Sequence, residues 1–153
     1  MITYQVEKLR DIQQEMEPLL EAHYHEVHAF IEEGILLDPD WDKYYALEDL
    51  GMVHTVTARS EGLLVGYYVS GLSYNLHYKA NLYANNDVLY LDPALRNTGA
   101  ALDMFAYVEK CYIELGVDVM TVHMKNTAPF KSLCGAMGMK EIETMYGKYI
   151  GGV

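Results

Sequence analysis

The sequence predicts one α/β domain, built on a mixed, mostly antiparallel sheet flanked by helices. Three observations carry this. Residues 85–115 read as strand, small-residue loop and helix. Apolar Val88 to Leu91 comes first, then Arg96-Asn97-Thr98-Gly99-Ala100-Ala101, then Leu102, Phe105, Ala106, Val108, Tyr112 and Ile113 near helical spacing. Two runs rich in Val, Thr, Leu and Tyr, residues 52–59 and 63–72, flank Ser60-Glu61-Gly62 as a hairpin would. The 153 residues are 51% apolar, enough to bury a full core in a single domain spanning 1–153.

Taken in order, residues 2–9 alternate apolar Ile2, Tyr4 and Val6 with polar Thr3, Gln5 and Glu7, which predicts a strand. Asp11 with Gln14 resembles a capping box, so a helix is expected from Ile12, its apolar stripe running through Met16, Leu19, His23, Val27 and Phe30. Pro18 either kinks this helix or opens a second, and Gly34 ends the segment. Asp38-Pro39-Asp40-Trp41 opens another helix, closed by Gly51. After the hairpin, residues 73–84 read as a strand end and a loop, and 88–91 as a short buried strand. Gly116 caps the next helix, and 117–124 form a strand. Phe130 opens a short helix that Gly138 ends, and 140–150 are expected as a last strand. The resulting order is β, two or three helices, β, β, β, α, β, α, β: an antiparallel meander running into a βαβ unit.

The formal net charge of −11 argues against nucleic acid as a ligand, because phosphate contact needs basic surface. It suits a cationic substrate, and it equally suits a surface that is acidic for solubility alone. No apolar run reaches the ~20 residues of a membrane helix, so no membrane partner is expected. The first residues lack the basic-then-apolar layout of a signal peptide. Cys111 and Cys134 make no disulfide framework, and a cytoplasmic, reduced location is the expectation.

A strand feeding a helix through a small-residue loop leaves the first helical N–H groups unpaired, beside the positive end of the helix dipole. Such a loop cradles phosphate. A single glycine is equally a plain tight turn. The stretch Leu91-Asp92-Pro93-Ala94-Leu95-Arg96-Asn97-Thr98-Gly99-Ala100-Ala101-Leu102 resembles the acetyl-CoA pyrophosphate loop of the GNAT superfamily of N-acetyltransferases. That family writes Arg/Gln-x-x-Gly-x-Gly/Ala between a strand and a helix. Arg96, Gly99 and Ala101 fill the three signature positions. The element order is similar too, except that the family has another strand after the last one placed here. That strand is missing, very short, or replaced by a partner chain. The compact acidic chain is most similar to small stand-alone members from bacteria and their phages.

The resemblance implies acetyl-CoA as donor and a primary amine as acceptor; the residues themselves give no reason to expect a metal. It implies that Arg96, Asn97, Thr98, Gly99, Ala100 and Ala101 cradle the pyrophosphate, with backbone groups of Leu89 and Leu91 on the donor and Asn126 near its pantetheine arm. Its acidic residue before the loop falls near Asp87, a candidate base. Strand alternation would put Asn85, Asp87, Leu89 and Leu91 on one face. Asn85-Asn86-Asp87 reads equally as a polar turn. The family's tyrosine acid falls on Cys134, so either Tyr83 or Tyr146 serves, or the thiolate leaves unassisted. Cys134 itself is a thiol that could donate and equally a small buried residue. His77 and Tyr78 lie in the loop that the resemblance sets beside the acceptor pocket. His23, His25 and His28 with Glu21 and Glu32 lack the tight spacing of a zinc site.

Two functions follow. One is an acetyl-CoA-dependent N-acetyltransferase acting on a small molecule or a protein. The other is a catalytically inactive module of the same fold, a binding or structural protein such as a virion component. An unpaired sheet edge would also favour a homodimer.

Overall fold

The structure, a computed structural model, describes residues 1–152. Its strands are β1 (Ile2–Val6), β2 (Val53–Ser60), β3 (Leu63–Tyr74), β4 (Leu82–Leu91) and β5 (Val119–Thr121). Its helices are α1 (Leu9–Val27), α2 (Trp41–Asp49), α3 (Ala100–Leu115) and α4 (Lys131–Ala136). The sheet runs β1-β2-β3-β4-β5, antiparallel through β4, with β5 parallel to β4. The mixed α/β architecture read from the sequence is the one observed.

Strand alternation divides the sheet into two cores. On one face Tyr67 and Val69 of β3 and Tyr90 of β4 meet Leu9, Ile12, Met16 and Leu20 of α1, with Trp41 and Tyr44 of α2 packed alongside. On the other, Val56, Tyr68, Ala84 and Leu91 meet Met104, Phe105 and Val108 of α3. Leu133 and Met137 of α4 join that second core. The hairpin forms where expected, with Glu61 and Gly62 both at positive φ, as a two-residue turn between twisted strands requires.

Several boundaries differ from the sequence reading. α1 starts at Leu9, before the expected capping box. Lys8 makes no side-chain cap, and Glu48 of α2 accepts the Leu9 N–H at 2.6 Å instead. A partner on another element thus supplies what local sequence did not. Pro18 starts no second helix, since α1 runs through it and ends at Val27 rather than at Gly34. β4 begins at Leu82, so Asn85-Asn86-Asp87 is strand rather than turn. The strand expected over 117–124 shortens to β5.

The expected last strand at 140–150 does not form. Its large apolar residues Ile142, Met145, Tyr146, Tyr149 and Ile150 all lie exposed. Adjacent pairs such as Met145-Tyr146 break the alternation a half-buried strand needs, and no neighbouring strand takes up its backbone groups.

Candidate functional site

β4 and β5 pair at Tyr83↔Val119, Ala84↔Met120 and Asn85↔Thr121, and there β5 ends. β4 continues to Leu91 paired with β3 but no longer with β5, opening a fork in the sheet. Thr121 closes its root by donating a hydroxyl hydrogen to Asn85 Oδ1 at 2.8 Å. Beyond the fork, the Asp92 N–H donates to Val65 O on β3. Successive residues of a ladder turn their N–H groups to opposite edges, so Leu91 and Leu89 face the open side. The Leu91 carbonyl on that side accepts from Arg96 Nε at 2.8 Å.

A bulge sits at the fork. Val69 pairs with Val88 and Ser70 with Asn86, so Asp87 is an extra residue with no partner on β3. The expected common face of Asn85, Asp87, Leu89 and Leu91 is therefore broken. Leu89 and Leu91 pack in the α3 core, while Asp87 turns to the α2 side, where the Tyr44 hydroxyl donates to its Oδ2. Burial, and then the neighbouring Asp87 carboxylate, push the Tyr44 phenol well above its ordinary pKa, so it stays a donor. Among the described residues Asp87 Oδ1 has no donor. Asn86 is buried and fixes the bulge, its Nδ2 donating to the carbonyls of Val69 and Val88 at 3.3 Å each.

After β4, a 3-10 turn over Pro93–Leu95 is capped by Asp92, whose side chain accepts the Ala94 N–H. Thr98 Oγ1 donates to Leu95 O. Gly99 caps α3 at φ 88°, a left-handed conformation that L side chains adopt only at a cost. No described residue accepts from the N–H groups of Asn97, Gly99, Ala100, Ala101 or Leu102. These donors at a helix N-terminus, beside an open strand edge, fit the pyrophosphate and pantetheine of acetyl-CoA. Tyr4 of β1 steadies the turn by donating to Ala100 O at 2.9 Å. Arg96 lies on the protein side of the loop: it pairs with Glu26 of α1 at 2.9 Å and covers the Tyr90 ring at 5.4 Å.

The other sequence candidates scatter. Tyr83 is half-buried at the root of the fork. Cys134 is half-buried on α4, where burial raises its thiol pKa. Asn126 is exposed in the turn after β5. Tyr146 is 92% exposed. His77 and Tyr78 are exposed in the β3–β4 hairpin, their N–H groups bound by Asn75 Oδ1. Asp87 lies five positions beyond the start of β4 at Leu82, roughly 16 Å along the strand, so the hairpin does not reach it. Among the described residues no three His, Cys, Asp or Glu groups gather as a metal site. No helix is long and apolar enough to cross a membrane. Sequence reasoning missed Tyr44, which looks like one apolar residue of a helix stripe.

Two cavities adjoin Tyr44, and one of them reaches Asp87. The wider, about 490 Å³, is lined by Asp40, Lys43, Ser73, Asn85 and Asp87. The narrower, about 200 Å³, lies between α1, α2 and the sheet, against Met16, Leu20, Leu37, Trp41 and Val88. Tyr44 walls both.

No protein-family model matches the sequence, and no curated protein does. Solved structures do match in shape. One is an aminoglycoside acetyltransferase from an uncultured soil metagenomic sample, in complex with sisomicin. It superposes at TM-score 0.71 with 17% identity, over 97% of this chain and 95% of that one. Glucosamine-6-phosphate N-acetyltransferase from Arabidopsis thaliana gives 0.72 with 12% identity, over 97% and 98%. A predicted acetyltransferase from Clostridium acetobutylicum, solved with acetyl-CoA, gives 0.68 with 13% identity, over 97% and 96%. At such identities the likeness is one of fold.

Proposed function

We propose that this chain, which has the GNAT acetyltransferase fold, is an acetyl-CoA-dependent N-acetyltransferase acting on a primary amine. The observation that carries this reading is the fork. An open strand edge runs straight into a helix N-terminus with unpaired N–H groups, and an aspartate stands at the branch point.

Acetyl-CoA, when bound, supplies an already reactive thioester. The chain's own work is then positioning and proton transfer. The unpaired N–H groups from Asn97 to Leu102 hold phosphate, and Leu89 and Leu91 offer backbone groups along the open edge. Asp87 Oδ1 is free to accept the proton that the attacking amine gives up. Tyr44 fixes the carboxylate through Oδ2.

A non-enzymatic module is the second reading. It is favoured by the half-buried thiol of Cys134 where the resemblance expects a tyrosine acid. Titration calorimetry with acetyl-CoA, followed by thiol release over a broad amine panel, separates the two. Absence of binding removes the enzyme reading, and binding without turnover favours the module. The outer edge of β5, which has no strand partner among the described residues, also supports a homodimer.

A further inference from the structure

We infer that the narrower cavity binds a methylated ammonium: a trimethylammonium head on a short neutral tail. A quaternary nitrogen has no proton to lose, so this ligand is not the acetyl acceptor. The inference goes beyond the acetyltransferase reading and holds whether or not the chain transfers acetyl groups.

Two helices bring two aromatic pairs to this space. Tyr24 and His28 stand one turn apart at the end of α1, their ring centroids 4.8 Å apart. Trp41 and Tyr44 stand about one turn apart at the start of α2, their centroids 6.0 Å apart. Met16 and Leu20 of α1 add apolar wall, as do Val69 and Val88 of the sheet. The segment that leads into α2 contributes Asp38, the one carboxylate in the lining. Asp38 is exposed, which sets its charge at the rim rather than in the depth. Asp40 rather than Asp38 caps α2, by accepting the Lys43 N–H at 3.0 Å. The Asp38 carboxylate is thus left without a hydrogen bond or ion pair among the described residues. No Lys or Arg lines the cavity.

Aromatic faces beside an unpaired carboxylate attract a cation, and desolvation strengthens the attraction to the rings. The net charge of −11 draws cations towards the surface as a whole. The hydrogen-bonding atoms of the wall decide which cation. A primary ammonium carries N–H donors that each need an acceptor. The Tyr24 hydroxyl donates to Ile35 O, the Tyr44 hydroxyl donates to Asp87, and His28 Nδ1 accepts from the Phe30 N–H. Asp38 alone offers an open anionic acceptor, and only at the rim. A primary ammonium going deeper would exchange its water for rings and leave donors unpaired. A trimethylammonium head has no N–H to satisfy, and its methyl groups pack on apolar walls. A neutral hydrocarbon of the same shape fits those walls but leaves Asp38 unanswered. Size agrees: a dry cavity of about 150 Å³ holds benzene. A trimethylammonium head has fewer heavy atoms than benzene, and about 200 Å³ is present here.

Trp41 is the only tryptophan in the chain, so its emission reports on this cavity directly. The full-length protein is titrated at constant ionic strength with three ligands of matched size. They are choline, its neutral isostere 3,3-dimethyl-1-butanol, and ethanolamine, which keeps the tail but carries a primary ammonium. Choline is expected to change Trp41 emission saturably, and each of the other two to bind roughly tenfold more weakly or less. Asp38→Asn should weaken choline roughly fivefold or more and leave Tm unchanged, because the carboxylate it removes has no partner in the fold. Trp41→Leu should abolish choline binding in titration calorimetry while its far-UV circular dichroism matches the parent. Equal affinity for choline and 3,3-dimethyl-1-butanol would make the cavity a plain apolar hole and overturn the inference. Ethanolamine binding as tightly as choline would make it a site for simple amines and overturn it too. So would a silent Trp41 in the choline titration, or undiminished choline affinity in Asp38→Asn.

Discussion

Tyr44 of α2 donates its hydroxyl hydrogen to the Asp87 carboxylate across 43 residues of sequence, joining α2 to the branch point of the sheet. If Asp87 is the base, Asp87→Ala should lower kcat by roughly 10²–10⁴-fold. Its acetyl-CoA affinity by calorimetry should stay within about twofold of the parent, because the phosphate donors lie elsewhere. Tyr44→Phe should lower kcat less, about tenfold, since the carboxylate remains but loses its orienting partner. Equal turnover in Asp87→Ala and parent would remove Asp87 from the mechanism.

Gly99 sets a trap for the obvious loop mutation. At φ 88° any side chain is strained, so Gly99→Ala and Gly99→Glu should both lose about 1 kcal/mol. A glutamate there cannot therefore be expected to leave the fold untouched. The two variants should melt alike, yet only Gly99→Glu should lose acetyl-CoA in calorimetry, by charge repulsion and occupied space. Equal binding by both would make the loop a mere turn.

Glu7 governs the acid limb of stability. Its partial burial alone would raise its pKa, but hydrogen bonds from Arg59, Thr57 and Gln5 outweigh that and lower it to about 2. A carboxyl whose folded pKa is depressed stabilises the protein above its unfolded pKa and loses that contribution as pH falls through the folded value. Glu7 and Arg59 are 20% and 13% exposed, so the effect is only partly screened. Urea unfolding should show stability falling by on the order of 2 kcal/mol from this group between about pH 4.5 and 2. Glu7→Gln should be weaker at pH 7 and flatter across that window. A parent and variant with parallel pH curves would count against the pair.

Tyr68 buries a hydroxyl that finds no partner among the described residues, and its ring packs edge-on against Phe105 at 5.3 Å. Removing a buried unpaired polar atom should help. Tyr68→Phe is expected to gain about 1 kcal/mol and raise Tm by ~2–4 °C in calorimetry. A lower Tm would mean that the hydroxyl is satisfied.

The exposed edge of β5 makes a fifth expectation. Light scattering at micromolar concentration should give the mass of a dimer, and a monomer would end that proposal.

Much of this was legible from residues alone. Runs rich in Val, Thr, Leu and Tyr around Ser60-Glu61-Gly62 locate β2 and β3, and the small-residue run before Leu102 marks the turn into α3. The bulge was not legible. Whether Asp87 has a partner depends on the register of β3, and nothing in residues 85–91 records that register. Tyr44 was hidden for the same reason, since its partner is on another element. The segment at 140–150 misled because β-prone residues signal a strand only when a neighbouring edge is there to receive them. The helix start failed differently: Glu48, an acceptor from α2, replaced the local cap.

The bulge also separates two demands that most residues must meet together. The ladder between β3 and β4 closes on either side of Asp87 and makes no use of it. Deleting residue 87 would leave Asn86 followed directly by Val88, a plain alternating strand with every position matched. Such a chain should hold its sheet at least as well, while presenting no acid at the fork. Substitutions at Asp87 therefore leave the ladder untouched and cost the fold only the acceptor of the Tyr44 hydroxyl.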